Sequence, residues 1–136
     1  MPVKFAANIQ TAVQNFLTAV AAFNPDPITG KQDVPALTGT LSQNVILYGI
    51  TEGEVVAAGI KDVVTHLTTP YPGGNAGSTF KPVPGTVDFT PRSYPVIVTG
   101  KADWTDNDGS PPGTISFLFT FDPGGTISSL WASSAG

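Results

Sequence analysis

The stretch Thr114–Trp131, TISFLFTFDPGGTISSLW, decides the fold. Ile115, Phe117, Phe119 and Phe121 recur at the strand period of two, with Thr114, Ser116, Leu118 and Thr120 on the opposite face. Asp122-Pro123-Gly124-Gly125 then supplies a tight reversal, since Pro fixes φ early in a turn and Gly accepts positive φ late in one. A second alternating run begins at Thr126. The whole reads as an antiparallel hairpin with one face built to be buried, and the rest of the chain has to cover that face.

Working outward, Tyr94–Thr105 predicts another long strand, with Val96, Val98, Gly100, Ala102 and Trp104 on one side. The polar run Asp106–Gly113 is its hairpin loop back to Thr114. Upstream, Thr79–Pro91 reads as one irregular strand; Pro82, Pro84 and Pro91 confine it to an edge or a bulged position. Pro70–Gly77 is a Pro- and Gly-rich loop, either a pocket rim or a plain connection.

The N-terminal half is helical in pattern. Phe5, Ile9, Ala12, Phe16, Val20 and Phe23 follow spacings of three and four, widened by Ala6, Val13 and Leu17, which predicts an amphipathic helix over Val3–Phe23 stopped by Asn-Pro-Asp-Pro. Asp33 caps a short second helix containing Pro35, Leu37 and Leu41. Asn44–Ile50 is a strand, Glu52-Gly53-Glu54 a turn, and Val55–Gly59 leads into a third helix over Ile60–Thr69 with Ile60, Val63, Val64 and Leu67 on one face. Helices first and antiparallel strands after them make an α+β layout, a curved, mostly antiparallel sheet closing as a cone around the N-terminal helices, in one domain over residues 1–136.

Composition narrows the functions. Charged residues are 12% of the 136, about half of the roughly 25% usual in soluble domains, so few groups are available for acid-base work. A net charge of −4 with six scattered Lys and Arg leaves no basic patch for phosphates and argues against nucleic-acid binding. The chain has no cysteine, hence no disulfide or thiolate chemistry. Asn8, Gln10, Thr11, Gln14 and Asn15 interrupt the apolar run near the N-terminus, and no span approaches the ~20 apolar residues of a membrane crossing, so the expectation is a cytoplasmic protein with no membrane partner. One histidine and dispersed carboxylates predict neither a metal site nor a cofactor, and no phosphate loop, dinucleotide fingerprint or Ser-His-Asp spacing occurs.

Three pieces, LSQNVILYGI at 41–50, GIKDVVTHL at 59–67 and GTISFLFTFDPGGTISSLWA at 113–132, resemble the first strand, third helix and terminal hairpin of the nuclear-transport-factor-2-like (NTF2-like) superfamily, the cystatin-like cone group that includes SnoaL-type cyclases and ketosteroid isomerases. The resemblance implies an apolar pocket between the concave sheet face and the helices, and a homodimer through the sheet's other face. In the isomerase pattern a carboxylate base, a tyrosine donor and a protonated carboxylic acid surround the substrate. On that pattern the three positions fall at Gly49, Phe16 and Phe117, none of which has the required chemistry. The resemblance therefore points to a protein that binds a small hydrophobic molecule, with a SnoaL-like isomerase or cyclase acting on a hydrophobic carbonyl compound, or a non-catalytic dimerisation module, as alternatives. Whether the chain is an enzyme stays open.

His66 is the candidate base for such chemistry, because imidazole titrates near neutrality and the residue borders the apolar face of the third helix; it also suits a plain helical C-terminus. Asp88 is the second candidate if its strand face turns inward, and a solvated carboxylate if it does not. Asp103 shares a solvated face with Lys101 and Thr105, and Asp106-Asn107-Asp108 lacks the later acid of a calcium loop. Tyr48 and Trp104 combine an apolar body with a polar tip and are candidate pocket residues, as is Trp131. Phe16, Phe117 and Phe119 either line a ligand cavity or fill the cone.

Overall fold

The computed structural model describes residues 9–26, 28–29, 31–49, 54–69, 79–90, 96–105 and 113–134. Along these the chain forms α1 (Ile9–Phe23), α2 (Val34–Gly39), β1 (Leu41–Tyr48), β2 (Val55–Ala58), α3 (Ile60–Thr68), β3 (Thr79–Pro82), β4 (Asp88–Thr90), β5 (Val96–Thr105), β6 (Gly113–Phe121) and β7 (Ile127–Ser134). The strands make one seven-stranded sheet in the order β2-β1-β7-β6-β5-β3, with β4 also on β5. Every pairing is antiparallel except β1 with β7. This is the α+β cone read from the sequence. The segments expected at residues 3–8, 70–78 and 106–112 lie outside the described residues.

The opening hairpin forms as its pattern predicts. Ile115, Phe117, Phe119 and Phe121 are all buried, and β6 pairs with β7 from Ile115↔Ser134 to Phe121↔Ile127. The turn is held by one carboxylate: Asp122 Oδ1 accepts from the backbone N–H of Gly124 (3.1 Å) and Thr126 (3.2 Å), and from the Thr126 hydroxyl (2.8 Å). Gly125 takes φ 84°, the left-handed conformation that glycine adopts without steric cost. On the sheet's outer face, the Thr120 hydroxyl lies 2.6 and 2.7 Å from those of Ser128 and Ser129 and closes a cross-strand network.

Across the inner face, Phe117 pairs with Gly100 of β5. A Cβ on Gly100 would stand 3.0 Å from Phe117 Cζ and 3.1 Å from the Val87 Cα, so the missing side chain makes room for the ring. Phe16 of α1 stacks on that ring at 5.6 Å and 13°, and meets Phe89 edge-on at 5.7 Å and Phe119 at 6.0 Å. Phe80 and Phe23 extend the cluster to Phe119 at 5.7 and 5.8 Å. Six phenylalanines thus join helix and sheet.

Four details differ from the sequence reading. The buried face of α1 is the narrow set Ala12, Phe16, Ala19 and Ala22; Ile9 and Leu17 are 49% and 53% exposed. Leu17 is one residue beyond Phe16, about 100° around the helix, and small alanines bring only one flank against the sheet. Leu41 begins β1 and does not belong to α2, because Thr40 caps that helix, its hydroxyl donating to the Leu37 carbonyl at 2.7 Å, while its own carbonyl accepts from Ile127 N–H at 2.8 Å. Val55–Ala58 is a strand, paired to β1 from Ile46↔Ala58 to Tyr48↔Val55; four apolar residues in a row carry no alternation to reveal it. The stretch expected as one strand over Thr79–Pro91 holds, within its described residues 79–90, two short strands laid end to end along β5. A turn at Gly85 (φ 83°) separates them, and Thr86 Oγ1 accepts from Lys101 N–H at 3.1 Å.

The end of α1 is tied to the sheet edge by Asn24. Its Oδ1 accepts from Phe80 N–H at 2.7 Å, and its Nδ2 donates to the Phe80 carbonyl at 2.9 Å and to the Val20 carbonyl at 3.0 Å. Replacing Asn24 by Ala is expected to cost about 1–3 kcal/mol, because it leaves the N–H and the carbonyl of Phe80 unpaired, while the Val20 carbonyl keeps the backbone N–H of residue 24. Phe16→Ala, which removes a ring 2% exposed, is expected to cost about 3–5 kcal/mol. Urea unfolding checks both; costs below about 0.5 kcal/mol would contradict the assigned packing.

Candidate functional site

The phenylalanine cluster stops short of filling the cone. Beyond Phe119, Phe80 and Phe23 lies a cavity of about 230 Å³, bounded by the strands on one side and by α3 and the β1–β2 hairpin on the other. Its wall is mainly apolar, with Leu47, Leu67, Ile115, Leu130 and Ala132 joining those rings. Val56 and Trp131, each 41% exposed, mark where it reaches the surface. An engineered cavity of roughly 150 Å³ takes up benzene, so the space fits one ring or two fused rings.

Polar tips enter this wall at a few points. Tyr48, His66 and Trp104 all line the cavity, together with Phe119. A register shift between Leu47 and Tyr48 interrupts the β1–β2 ladder, and such bulges re-aim side chains next to binding sites. His66 projects from the last turn of α3, half-buried, on the helix whose Val63 is sealed in the core. Asp88 is exposed on β4 and takes no part in the cavity. Phe16 and Phe117 are also absent from its wall, being occupied with each other and with the rings around them. His66, Tyr48, Trp104 and Phe119 are therefore brought together, while Asp88, Phe16 and Phe117 are not.

Two polar lining residues, Glu54 and Gln32, escaped the sequence reading. Glu54 lines the cavity at its exposed side. Gly49 N–H donates to the Glu54 carbonyl at 2.6 Å, and any Cβ on Gly49 would collide with the Glu54 carboxylate. The carboxylate thus reaches over Gly49, into space that a side chain there would take. The signal was Gly49 itself, a glycine five residues before a glutamate at the end of a strand.

Gln32 is the other. After α1, Asp26 N–H donates to the Lys31 carbonyl at 2.8 Å, and Asp26 Oδ1 accepts from Ile28 N–H at 2.7 Å and Thr29 N–H at 3.2 Å, so the connector folds back on itself. Gln32 then sits between the end of α1 and Asp33, whose Oδ1 accepts from Ala36 N–H at 3.0 Å to cap α2. Its Nε2 donates to the Phe23 carbonyl at 2.9 Å, satisfying one of the carbonyls that every helix C-terminus leaves open. Nothing in the composition of a Pro-rich connector distinguishes this glutamine. Among the described residues, no group of three or more His, Cys, Asp or Glu could hold a metal ion, and no helix is long and apolar enough to cross a membrane.

No protein-family model matches the chain, and no curated protein matches it. Solved structures do match in shape. SalBIII, an epoxide hydrolase/cyclase-like enzyme with a role in pyran ring formation in the polyether salinomycin, superposes with a TM-score of 0.64 at 19% identity, over 94% of this chain and 93% of that one. An NTF2-like protein of unknown function from Shewanella oneidensis MR-1 gives 0.61 at 19% identity, over 93% and 98%. A provisionally assigned isomerase of the SnoaL-like family from Agrobacterium tumefaciens str. C58 gives 0.63 at 13% identity, over 93% and 99%. Identities this low speak to shape alone. With the sheet order, the helices and the shapes of these neighbours in agreement, the chain has the NTF2-like cone fold shared by SnoaL-like proteins.

Proposed function

We propose that this protein binds a small hydrophobic molecule in the cavity between its helices and its sheet. The observation that carries the reading is a space of about 230 Å³ walled mostly by aromatic and aliphatic side chains, with polar tips at a few points. Apolar concavities with few polar groups are what ligand sites are made of, and the cavity is of the size for a monocyclic or bicyclic compound. Toluene, titrated into the protein and followed by amide NMR shifts, is expected to perturb residues around Leu130 and Phe119. Ala132→Phe, which puts a ring into the space, is expected to remove those perturbations while the far-UV circular dichroism stays that of the wild type. Perturbations that persist in the filled variant, or that never occur in the wild type, would remove the reading.

A second reading is favoured by one further observation: His66 and Glu54 stand on the wall of the same cavity. Either could take a proton from the carbon next to a ligand carbonyl, the electron pair passing to the carbonyl oxygen as an enolate, with Tyr48 or Trp104 as donors to that oxygen. The enzymes among proteins of this fold lend it support. Cyclohexanone in deuterated buffer tests it. The protein is expected to accelerate exchange of the α-protons, and His66→Gln or Glu54→Gln to lower that rate by about 10²-fold with toluene binding unchanged. Exchange no faster than in buffer would leave the protein as a binder only.

A further inference from the structure

The cavity carries a charge of one sign. Among the described residues that line it, Glu54 is the one carboxylate and none is a lysine or arginine. The place of that carboxylate follows from the ladder. Leu47 pairs with Ala57 and Tyr48 with Val55, so the extra residue of the bulge, Val56, belongs to β2 and the alternation of β1 runs on undisturbed. Val45 and Leu47 pack into the core, which puts Gly49 on the same concave face. Gly49 N–H donates to the Glu54 carbonyl, and the Glu54 carboxylate takes the space of the side chain that Gly49 lacks. The carboxylate therefore lies on the cavity's side of the sheet, on a residue that solvent reaches. Aromatic rings stand across from it. Phe80 and Trp104 are cross-strand partners on the concave face, and Phe80 and Phe23 meet Phe119 at 5.7 and 5.8 Å. The faces of such rings attract positive charge.

We propose that the ligand is an organic cation, an apolar ring bearing an ammonium group, with the ring among the phenylalanines and the positive end toward Glu54. The inference rests on the binding reading above and adds a chemical class to it: amines and quaternary ammonium compounds, as opposed to carboxylates. An ammonium group that gives up water here gains an opposite charge and the faces of aromatic rings. A carboxylate on the ligand would meet Glu54 as a like charge in a poorly hydrated space, which disfavours both ionised forms.

Phenyltrimethylammonium and tert-butylbenzene have the same shape and differ by one charge. A cavity indifferent to charge would take the hydrocarbon, because the cation has to be drawn out of water. Both are titrated at about pH 8, where an ordinary imidazole is uncharged, and followed by amide NMR shifts. The ratio of tert-butylbenzene Kd to phenyltrimethylammonium Kd is expected to be about tenfold larger in the wild type than in Glu54→Gln, which keeps the size of the side chain and removes its charge. As a readout independent of substitution, the carboxyl carbon shift of Glu54 is expected to move with the cation and stay still with the hydrocarbon. Should Glu54→Gln bind neither compound, that shift in the wild type decides alone. If the cation fails to bind, if the ratio is the same in both proteins, or if the Glu54 carbon ignores the cation, the carboxylate selects no cation, and toluene binding leaves the binding reading standing. If toluene, tert-butylbenzene and the cation all fail to bind the wild type, both readings fall together.

Discussion

The stacking of Phe16 on Phe117 is the contact on which the rest of the structure depends. It joins the first helix to the middle of the sheet, and it does so with two rings of a cluster in which neighbouring phenylalanines meet edge-on, tilted or stacked. Such pairs add about 0.5–1.5 kcal/mol each beyond the area they bury. They also set a depth. Gly100 must lack a side chain for the Phe117 ring to lie where it does, and the helix approaches through alanines at 12, 19 and 22, so one part of the cone is packed without a gap. The cavity begins where this packing ends, with Phe119, Phe80 and Phe23 belonging to both. The void lies on the far side of these rings, where aliphatic side chains and a few polar tips take over the wall.

That arrangement separates this chain from the isomerase pattern in a physical way. Positions 16 and 117, where that pattern has hydrogen-bond donors, face each other as stacked rings. Introducing a polar group at either would place it inside a desolvated aromatic cluster and would also undo the contact that holds α1. Apart from Trp104 on β5, the polar groups of the cavity wall enter instead from the connector after α1, the β1–β2 hairpin and the last turn of α3. These are the segments whose conformations are easiest to vary without disturbing the sheet.

What could be read in the sequence follows from which signals are local. The β6–β7 hairpin was legible because its alternation, its Asp-Pro-Gly-Gly turn and its buried face all lie within one stretch. The α2 cap at Asp33 was legible for the same reason. Val55–Ala58 was not, since its strand character comes from pairing with β1 and not from its own pattern. Periodicity gave α1 a wider stripe than the sheet accepts, because it registers hydrophobicity and cannot see that Leu17 faces away from the only surface available. At the candidate site the same limit appears. His66, Tyr48, Trp104 and Phe119 were found as unusual residues on regular elements, whereas Glu54 and Gln32 reach the cavity through a glycine and a helix-end carbonyl that only the folded chain brings to them.

The clamp made by Asn24 has a consequence for how molecules of this protein meet one another. β3 ends the sheet on its side, and Phe80 is the residue there whose N–H and carbonyl are both taken by a side-chain amide. That amide repeats the donor and acceptor of a peptide unit, so it occupies the place where a residue from another chain's strand would pair. An exposed strand edge is a template for unwanted growth from one molecule to the next. By occupying both Phe80 groups with a side chain from just past its first helix, the protein denies an incoming strand that point of pairing.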